Sequence, residues 1–170
     1  GGRIVERLRV RNEPVSQDFF ELYGEVAFFN RQTRIALRHN GIIDPESIEE
    51  YVHYRGFEAL ANVLSQGDPQ AVIDEVVKSK LRGRGGGGFA TGEKWALAAK
   101  SPEKVRYIIC NADEGDPGAF MDRSMLESDP FNVIEGMIIG AFAIGAHQGF
   151  VYVRAEYPLA VERVDRAIRK

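Results

Sequence analysis

Residues 83 to 95 run Gly-Arg-Gly-Gly-Gly-Gly-Phe-Ala-Thr-Gly-Glu-Lys-Trp. Glycine weakens any regular element it occupies and opens backbone conformations closed to other residues. The run Gly85 to Gly88 therefore belongs where a backbone turns sharply or comes close to a ligand. Arg84 and Lys94 bracket it, which points to an anion, and Phe89 and Trp95 add flat apolar surface. A phosphate-bearing ligand with a ring fits all three features. Flexible linkers are Gly/Ser-rich and lack interleaved Arg, Phe, Lys and Trp. Trp95 serves equally well as core or as a ligand stack.

A second constellation is Asn111-Ala-Asp113-Glu114-Gly-Asp116-Pro-Gly-Ala-Phe120. It follows an apolar strand pattern, and ligands of open α/β sheets bind at the carboxyl ends of strands. Asn111 offers a donor and an acceptor suited to a heterocycle edge. Asp113, Glu114 and Asp116 can accept hydrogen bonds from ribose or ribityl hydroxyls. The same composition also makes a solvated acidic turn, and taken alone the loop fits either reading. The EF-hand pattern is absent, so no metal ligand is assigned. Asp122-Arg123 reads as a local ion pair fixing the loop. Cys110 reads as a small buried apolar residue, since no histidine lies near it in sequence. No residue is assigned as a catalytic acid, base or nucleophile.

Two familiar nucleotide patterns fail. Gly83 to Gly88 matches G-x-G-x-x-G, but that fingerprint must follow a strand, and a helical pattern precedes it here. Gly87 and Gly92 have phosphate-loop spacing, but Glu93 stands at the lysine position and Trp95 follows Lys94.

The elements that must position these loops are legible from local signals. Ile4 to Val10 alternates apolar and charged residues like a strand. Phe19, Phe20, Tyr23, Phe28 and Phe29 form an aromatic stretch suited to packing or docking. Arg34 to Arg38 reads as a short strand, and His39-Asn-Gly41 as a turn. Asp44-Pro45 opens a helix to about Tyr54, and Phe57 to Leu64 continues helically. Asp68-Pro69 opens another that ends near Leu81. Thr91 to Lys100 is a helix capped by Thr91, whose amino end faces the glycines and suits an anion. Val105 to Cys110 is a buried strand. Asp129-Pro130 starts a helix to about Ala146, Gly149 to Glu156 holds a second strand, and Leu159 to Lys170 is amphipathic. Alternating strands and helices point to an α/β fold with parallel strands.

The 170 residues suffice for one domain with a real core. A net charge of −3 gives no footprint for nucleic acid. The longest apolar run, Met137 to Ala146, is too short to span a membrane. One cysteine agrees with a reducing compartment, and cannot by itself hold zinc or an iron–sulfur cluster. The start at Gly1 and the end at Lys170, inside a helical pattern, suggest a piece of a longer polypeptide.

Together, Leu81 to Trp95 and Cys110 to Phe120 with Asp122-Arg123 resemble the NADH-binding flavoprotein subunit of respiratory complex I. They equally resemble its relatives in NAD-reducing or electron-bifurcating hydrogenases and NAD-dependent formate dehydrogenases. The resemblance is strong from Val76 onward. Ile43 to Tyr51 looks like the lead-in of the hydrogenase-type relatives. It implies the N-terminal part of a Rossmann-like domain that binds flavin mononucleotide (FMN) over residues 44–170, after an extension over 1–43. NADH would stack on the flavin, hydride would pass between them, and electrons would leave through iron–sulfur clusters. Gly83, Arg84, Gly85 and Gly86 would line the flavin, with Lys94 beside it and Gly88 and Gly92 completing the loop. Phe89 would meet the NADH. Asn111, Asp113 and Glu114 would hold the flavin ring and ribityl chain, and Asp116 would face the nicotinamide nucleotide. Departures from the complex I pattern are Asp116 for glutamate, Gly87 for alanine, Ala90 for proline, Gly115 for serine and Leu97 for an aromatic. The Gly115-Asp-Pro-Gly-Ala-Phe120 form looks more like the hydrogenase-type branch than membrane complex I.

The implied partners are NAD(H), a thioredoxin-like iron–sulfur subunit, and an iron–sulfur electron-relay or hydrogenase subunit, with a cytoplasmic location. The family's four-iron four-sulfur cluster has no ligands among these residues. Two rivals are a docking subunit without cofactor and a nucleotide phosphotransfer enzyme, which would need magnesium.

Overall fold

A computed structural model describes residues 31–170. The strand anticipated at Ile4 to Val10 and the aromatics Phe19 to Phe29 lie outside the described residues. Arg34 to Arg38 forms turns rather than a strand. Its alternating Ile35 and Leu37 find no strand to pair with among the described residues, and Ile35 is exposed. The turn at His39 to Gly41 is present.

Helix α1 (Ile48–His53) starts later than Asp44-Pro45 suggests. Ser47 caps it, its hydroxyl accepting from the Glu50 amide at 3.1 Å. Asp44 makes a turn instead, accepting from the Glu46 amide at 2.9 Å while the Glu50 carboxylate reaches back to the Asp44 amide at 2.6 Å. The Ser-x-x-Glu signal thus overrides the Asp-Pro one. Helix α2 (Glu58–Gln66) follows with no side-chain cap on its own first residues. In α3 (Pro69–Ser79) Asp68 is the cap, accepting from the Gln70 and Ala71 amides at 3.0 and 3.1 Å.

Helix α4 (Thr91–Ala99) has Ala90 at the cap position and no side-chain cap. Thr91 is already helical, so it does not cap the helix as anticipated. Then come β1 (Tyr107–Ala112), α5 (Met121–Ser128), α6 (Pro130–Ile144), β2 (Gln148–Val153) and α7 (Pro158–Ile168). Helix α5 stands between the acidic loop and Asp129-Pro130, where no element was anticipated. Within it Arg123 pairs with Glu127 at 2.9 Å, one helical turn on, and not with Asp122.

The strands are parallel, with Tyr107 opposite Gln148 and Ala112 opposite Val153. The fold is therefore α/β, with parallel strands and flanking helices. Strand β1 begins two residues later than anticipated, and among the described residues only one of its faces is covered. Cys110 and Ala112 pack with Val151, Val153, Leu126, Tyr157, Ala160 and Val164. On the other face Tyr107, Phe150 and Tyr152 are exposed, and Ile109 is 63% exposed. A second cluster joins Ile43, Tyr51, Phe131 and Ala167, and a third joins Val72, Ile73 and Ala143. The packed body reaches back to His39, whose Nδ1 lies 2.7 Å from Asp129 Oδ2. No helix among the described residues is long and apolar enough to cross a membrane.

Candidate functional site

The glycine loop is a ring closed at its base. Arg82 and Ala90 form an antiparallel bridge, and the Gly83 amide donates to Phe89 O at 2.9 Å. The Thr91 amide donates to Leu81 O at 2.9 Å, and Arg82 Nε to Gly88 O at 2.5 Å. Gly86 (φ +99) and Gly88 (φ +59) sit in left-handed backbone, where a side chain is strained. At Gly85, Gly86 and Gly87 an added Cβ would meet nothing within 4 Å. Gly85 and Gly87 have neither positive φ nor a neighbour to avoid among the described residues.

Arg84, Phe89 and Lys94 are exposed around this ring. Lys94 Nζ lies 6.0 Å from the centroid of the Phe89 ring, at the outer limit of a cation–π contact. Helix α4 presents its amino end at the ring's base, where free amides and partial positive charge favour an anion. Two neighbours have other duties. Trp95 packs with Val72, Ile73 and Ala143 and meets Gly140, which settles it in the core. Gly92 is buried, and a Cβ there would lie 2.5 Å from the Val77 amide nitrogen. Its contact among the described residues is helix α3.

In the acidic segment Asn111 is exposed and still within β1, opposite Tyr152, with its side-chain oxygen accepting from the Asp113 amide at 3.2 Å. Asp113 and Asp116 are exposed, and their carboxylates have no hydrogen bond donor among the described residues. Glu114 differs. Its backbone is left-handed (φ +39). Its carboxylate accepts from the Asp122 and Arg123 amides at 2.8 and 3.1 Å and from the Tyr157 hydroxyl at 3.1 Å. It thus caps α5, whose own cap residue Phe120 offers no side-chain bond. No local sequence rule finds a cap supplied from eight residues upstream. The Glu114 side chain, which the family resemblance gives to the flavin, also braces the loop.

Desolvation pushes the Glu114 carboxyl up, but the two amides and the phenol outweigh it and hold it below the ordinary glutamate range. A group depressed in the folded state stabilises that state above its unfolded pKa and loses the contribution as pH falls through the folded value. The brace is therefore complete above about pH 4.3 and is lost only in more acid solution. The Asp122 and Arg123 amide resonances should hold constant from neutral pH down to that point and move below it. Movement between pH 5 and 7 would contradict the capping role. At Cys110, burial first and the Asp122 charge second push the thiol above its ordinary value, which makes it a poor nucleophile at neutral pH. No cluster of three or more metal-ligating side chains occurs among the described residues.

The two loops share no hydrogen bond or ion pair among the described residues. They are joined through the body: the Trp95 ring and Ile108 both pack on Gly140, at 3.1 and 3.2 Å from the position of an added Cβ. This ties α4, which carries Lys94, to the strand that carries Asn111.

The family described as the Nuo51 FMN-binding domain matches residues 76–170. The chain belongs to this family. Among its relatives, NADP-reducing hydrogenase subunit HndC of Solidesulfovibrio fructosivorans is 56% identical over 138 residues, covering 81% of this chain and 28% of that protein. An NADH-quinone oxidoreductase subunit of Aquifex aeolicus (strain VF5) is 52% identical over 112 residues, covering 66% of this chain and 26% of that protein. NAD-reducing hydrogenase HoxS subunit alpha of Cupriavidus necator is 44% identical over 122 residues, covering 70% and 20%. A crystal structure of an NAD+-reducing NiFe-hydrogenase in the air-oxidized state superposes with a TM-score of 0.63 at 33% identity, over 81% of this chain and 22% of that one. The chain thus spans about a quarter of the length of the curated relatives it matches. Both candidate loops, Gly83 to Lys94 and Asn111 to Asp116, fall inside the stretch that the FMN-binding family matches.

Proposed function

We propose that this chain is part of a flavoprotein subunit that oxidises NADH or reduces NAD+ through FMN, in a multi-subunit complex of the hydrogenase type. The observation that carries the reading is the outward-open glycine ring between Arg84 and Lys94, whose Gly85 and Gly87 answer to no neighbour within the described residues. The 56% identity to a hydrogenase subunit favours that branch over membrane complex I.

The residues fit FMN. Gly83, Arg84, Gly85, Gly86 and Gly88 form the ring that receives it, with Lys94 answering its phosphate or the negative charge on its ring. Gly92 acts from behind, by seating α4. Asn111 and Asp113 hold the flavin from the strand end, and Glu114 keeps that segment in shape. Phe89 gives NADH an apolar face, and Asp116 meets its ribose hydroxyls. When bound, FMN supplies the hydride-accepting centre and the change from two-electron to one-electron transfer. The protein supplies orientation and charge, so no acid or base is required of it. The binding unit covers residues 44–170, with His39 to Ile43 packed on it as the end of the preceding segment. The iron–sulfur clusters belong to residues and subunits outside this chain: a thioredoxin-like iron–sulfur subunit and an electron-relay or hydrogenase subunit. The expected location is the cytoplasm.

The test is the visible spectrum of the complete natural polypeptide under anaerobic conditions, before and after NADH. Flavin bands that bleach support the reading. A colourless protein that FMN cannot reconstitute rejects it in favour of a docking subunit. Within that assay Lys94→Ala should weaken FMN or NADH binding by about ten- to a hundredfold, the loss of one charge-assisted hydrogen bond. Unchanged binding and reduction would remove Lys94 from the site.

A further inference from the structure

Tyr157 belongs to none of the sequence motifs. It lies between β2 and α7 and is buried, packed among Ala112, Leu126, Ala160 and Val164. That packing explains a ring but not a hydroxyl. The hydroxyl lies 3.1 Å from Glu114 Oε2 and 3.2 Å from Ala119 O. Glu114 and Ala119 are the two ends of the segment that carries Asp116. Inside it the Ala119 amide donates to Asp116 O at 3.1 Å, so Asp116 rides on a turn whose two ends share the single proton of one phenol. Two cations hold the ring: the guanidinium carbons of Arg123 and Arg154 lie 5.3 and 5.5 Å from its centroid. Arg154 Nη1 also donates to Glu114 O at 2.7 Å, and its Nη2 pairs with Glu156 at 2.7 Å.

We infer that Tyr157 is a positioning residue for the nicotinamide nucleotide: its hydroxyl straps the Glu114–Ala119 turn and so fixes where the Asp116 carboxylate stands. The inference rests on the NADH reading above. Aspartate has a short side chain, so the reach of Asp116 is set by its backbone more than by its rotamer. A strap on the backbone is therefore a strap on the carboxylate. Asn111 and Asp113 precede the gripped segment, so the flavin contacts proposed for them do not depend on the phenol.

The experiment is NADH-dependent ferricyanide reduction by the complete polypeptide loaded with FMN. Tyr157→Phe keeps the ring between its neighbours and deletes only the hydroxyl. The KM for NADH should rise about tenfold, the worth of one hydrogen bond to a charged acceptor, while FMN stays bound and kcat changes less than about twofold. Glu114→Gln should raise the KM as well, and the double variant should fall short of the product of the two effects, because both act through one bond. An unchanged KM in Tyr157→Phe overturns the inference. So does a fall in kcat, FMN content and melting temperature at constant KM, which is the signature of packing alone. A wild-type protein that NADH does not reduce rejects the parent reading and the role of Tyr157 with it. A working wild type with an unaffected variant rejects the role alone.

Discussion

Gly92→Ala is expected to destabilise the protein by about 3 kcal/mol, the upper range of an overpacked core. The added methyl would stand 2.5 Å from the Val77 amide nitrogen, 2.7 Å from its Cα and 2.6 Å from its Cγ2. Two of these are backbone atoms, so no rotamer change relieves the clash and helices α3 and α4 must part. Non-bonded carbons sit about 3.5–4.0 Å apart, so the shift needed approaches an ångström. It would spread into the cluster of Val72, Ile73 and Ala143, to which Trp95, Ala96 and Ala99 contribute. The melting temperature should fall by roughly 10 °C. FMN affinity should fall too, since Leu81 O and the Thr91 amide close the glycine ring at the same place. Gly85→Ala is the matched comparison. Its methyl would meet open space and its φ is not positive, so stability should stay within about 0.5 kcal/mol while FMN binding weakens. Thermal melts with FMN titrations decide it. Equal melting temperatures for wild type and Gly92→Ala would show that the helices accommodate the methyl.

The two glycines show what the sequence could and could not say. Both stand in one motif, and the family resemblance gives both to the cofactor. Only the packing of α4 on α3 shows that Gly92 is pressed on a neighbour while Gly85 meets none among the described residues. Most signals contained within four residues were legible, Asp44-Pro45 and the Thr91 cap being the exceptions. Asp68-Pro69 and Asp129-Pro130 start helices where they should, Asp129 accepting from the Asn132 amide at 3.3 Å. The strand after Gly149 and the amphipathic final helix were equally plain. Distance defeated the rest. Ile35 and Leu37 alternate like a strand, but a strand needs a partner that local sequence does not name. Val105 to Cys110 reads as a buried strand, yet among the described residues α5, α6 and α7 cover only one face. The Glu114 carboxylate also caps α5 and meets Tyr157, partners that lie beyond the loop.

Burial of one further carboxylate shows the same blindness with a larger energetic consequence. Glu135 in α6 is 6% exposed, in a stretch that reads as apolar helix. Its Oε1 accepts from the Leu60 amide at 3.1 Å, and its Oε2 from the Phe57 amide at 2.9 Å and from the Tyr51 hydroxyl. Phe57 begins α2 in left-handed backbone (φ 61) without a side-chain cap, so Glu135 caps that helix from another one. Burial, with the carboxylate's hydrogen bond and charge, drives the Tyr51 phenol far above its ordinary range, keeping it a neutral donor. Glu135→Ala would leave two amides and a phenol without their acceptor. Each buried orphan costs about 1–3 kcal/mol, so a loss of about 4 kcal/mol is expected, against a total near 5–15 kcal/mol for a whole domain. Glu135→Gln keeps one oxygen and turns a donor toward the remaining amides, so its cost should fall between wild type and alanine. Urea unfolding of the three proteins tests the order. An alanine variant within about 1 kcal/mol of wild type would mean that water or a shifted α2 replaces the carboxylate. Because Glu135 touches neither loop, the fraction of Glu135→Ala that remains folded should bind FMN as wild type does. Weakened binding at full folding would place α2 in mechanical contact with the site.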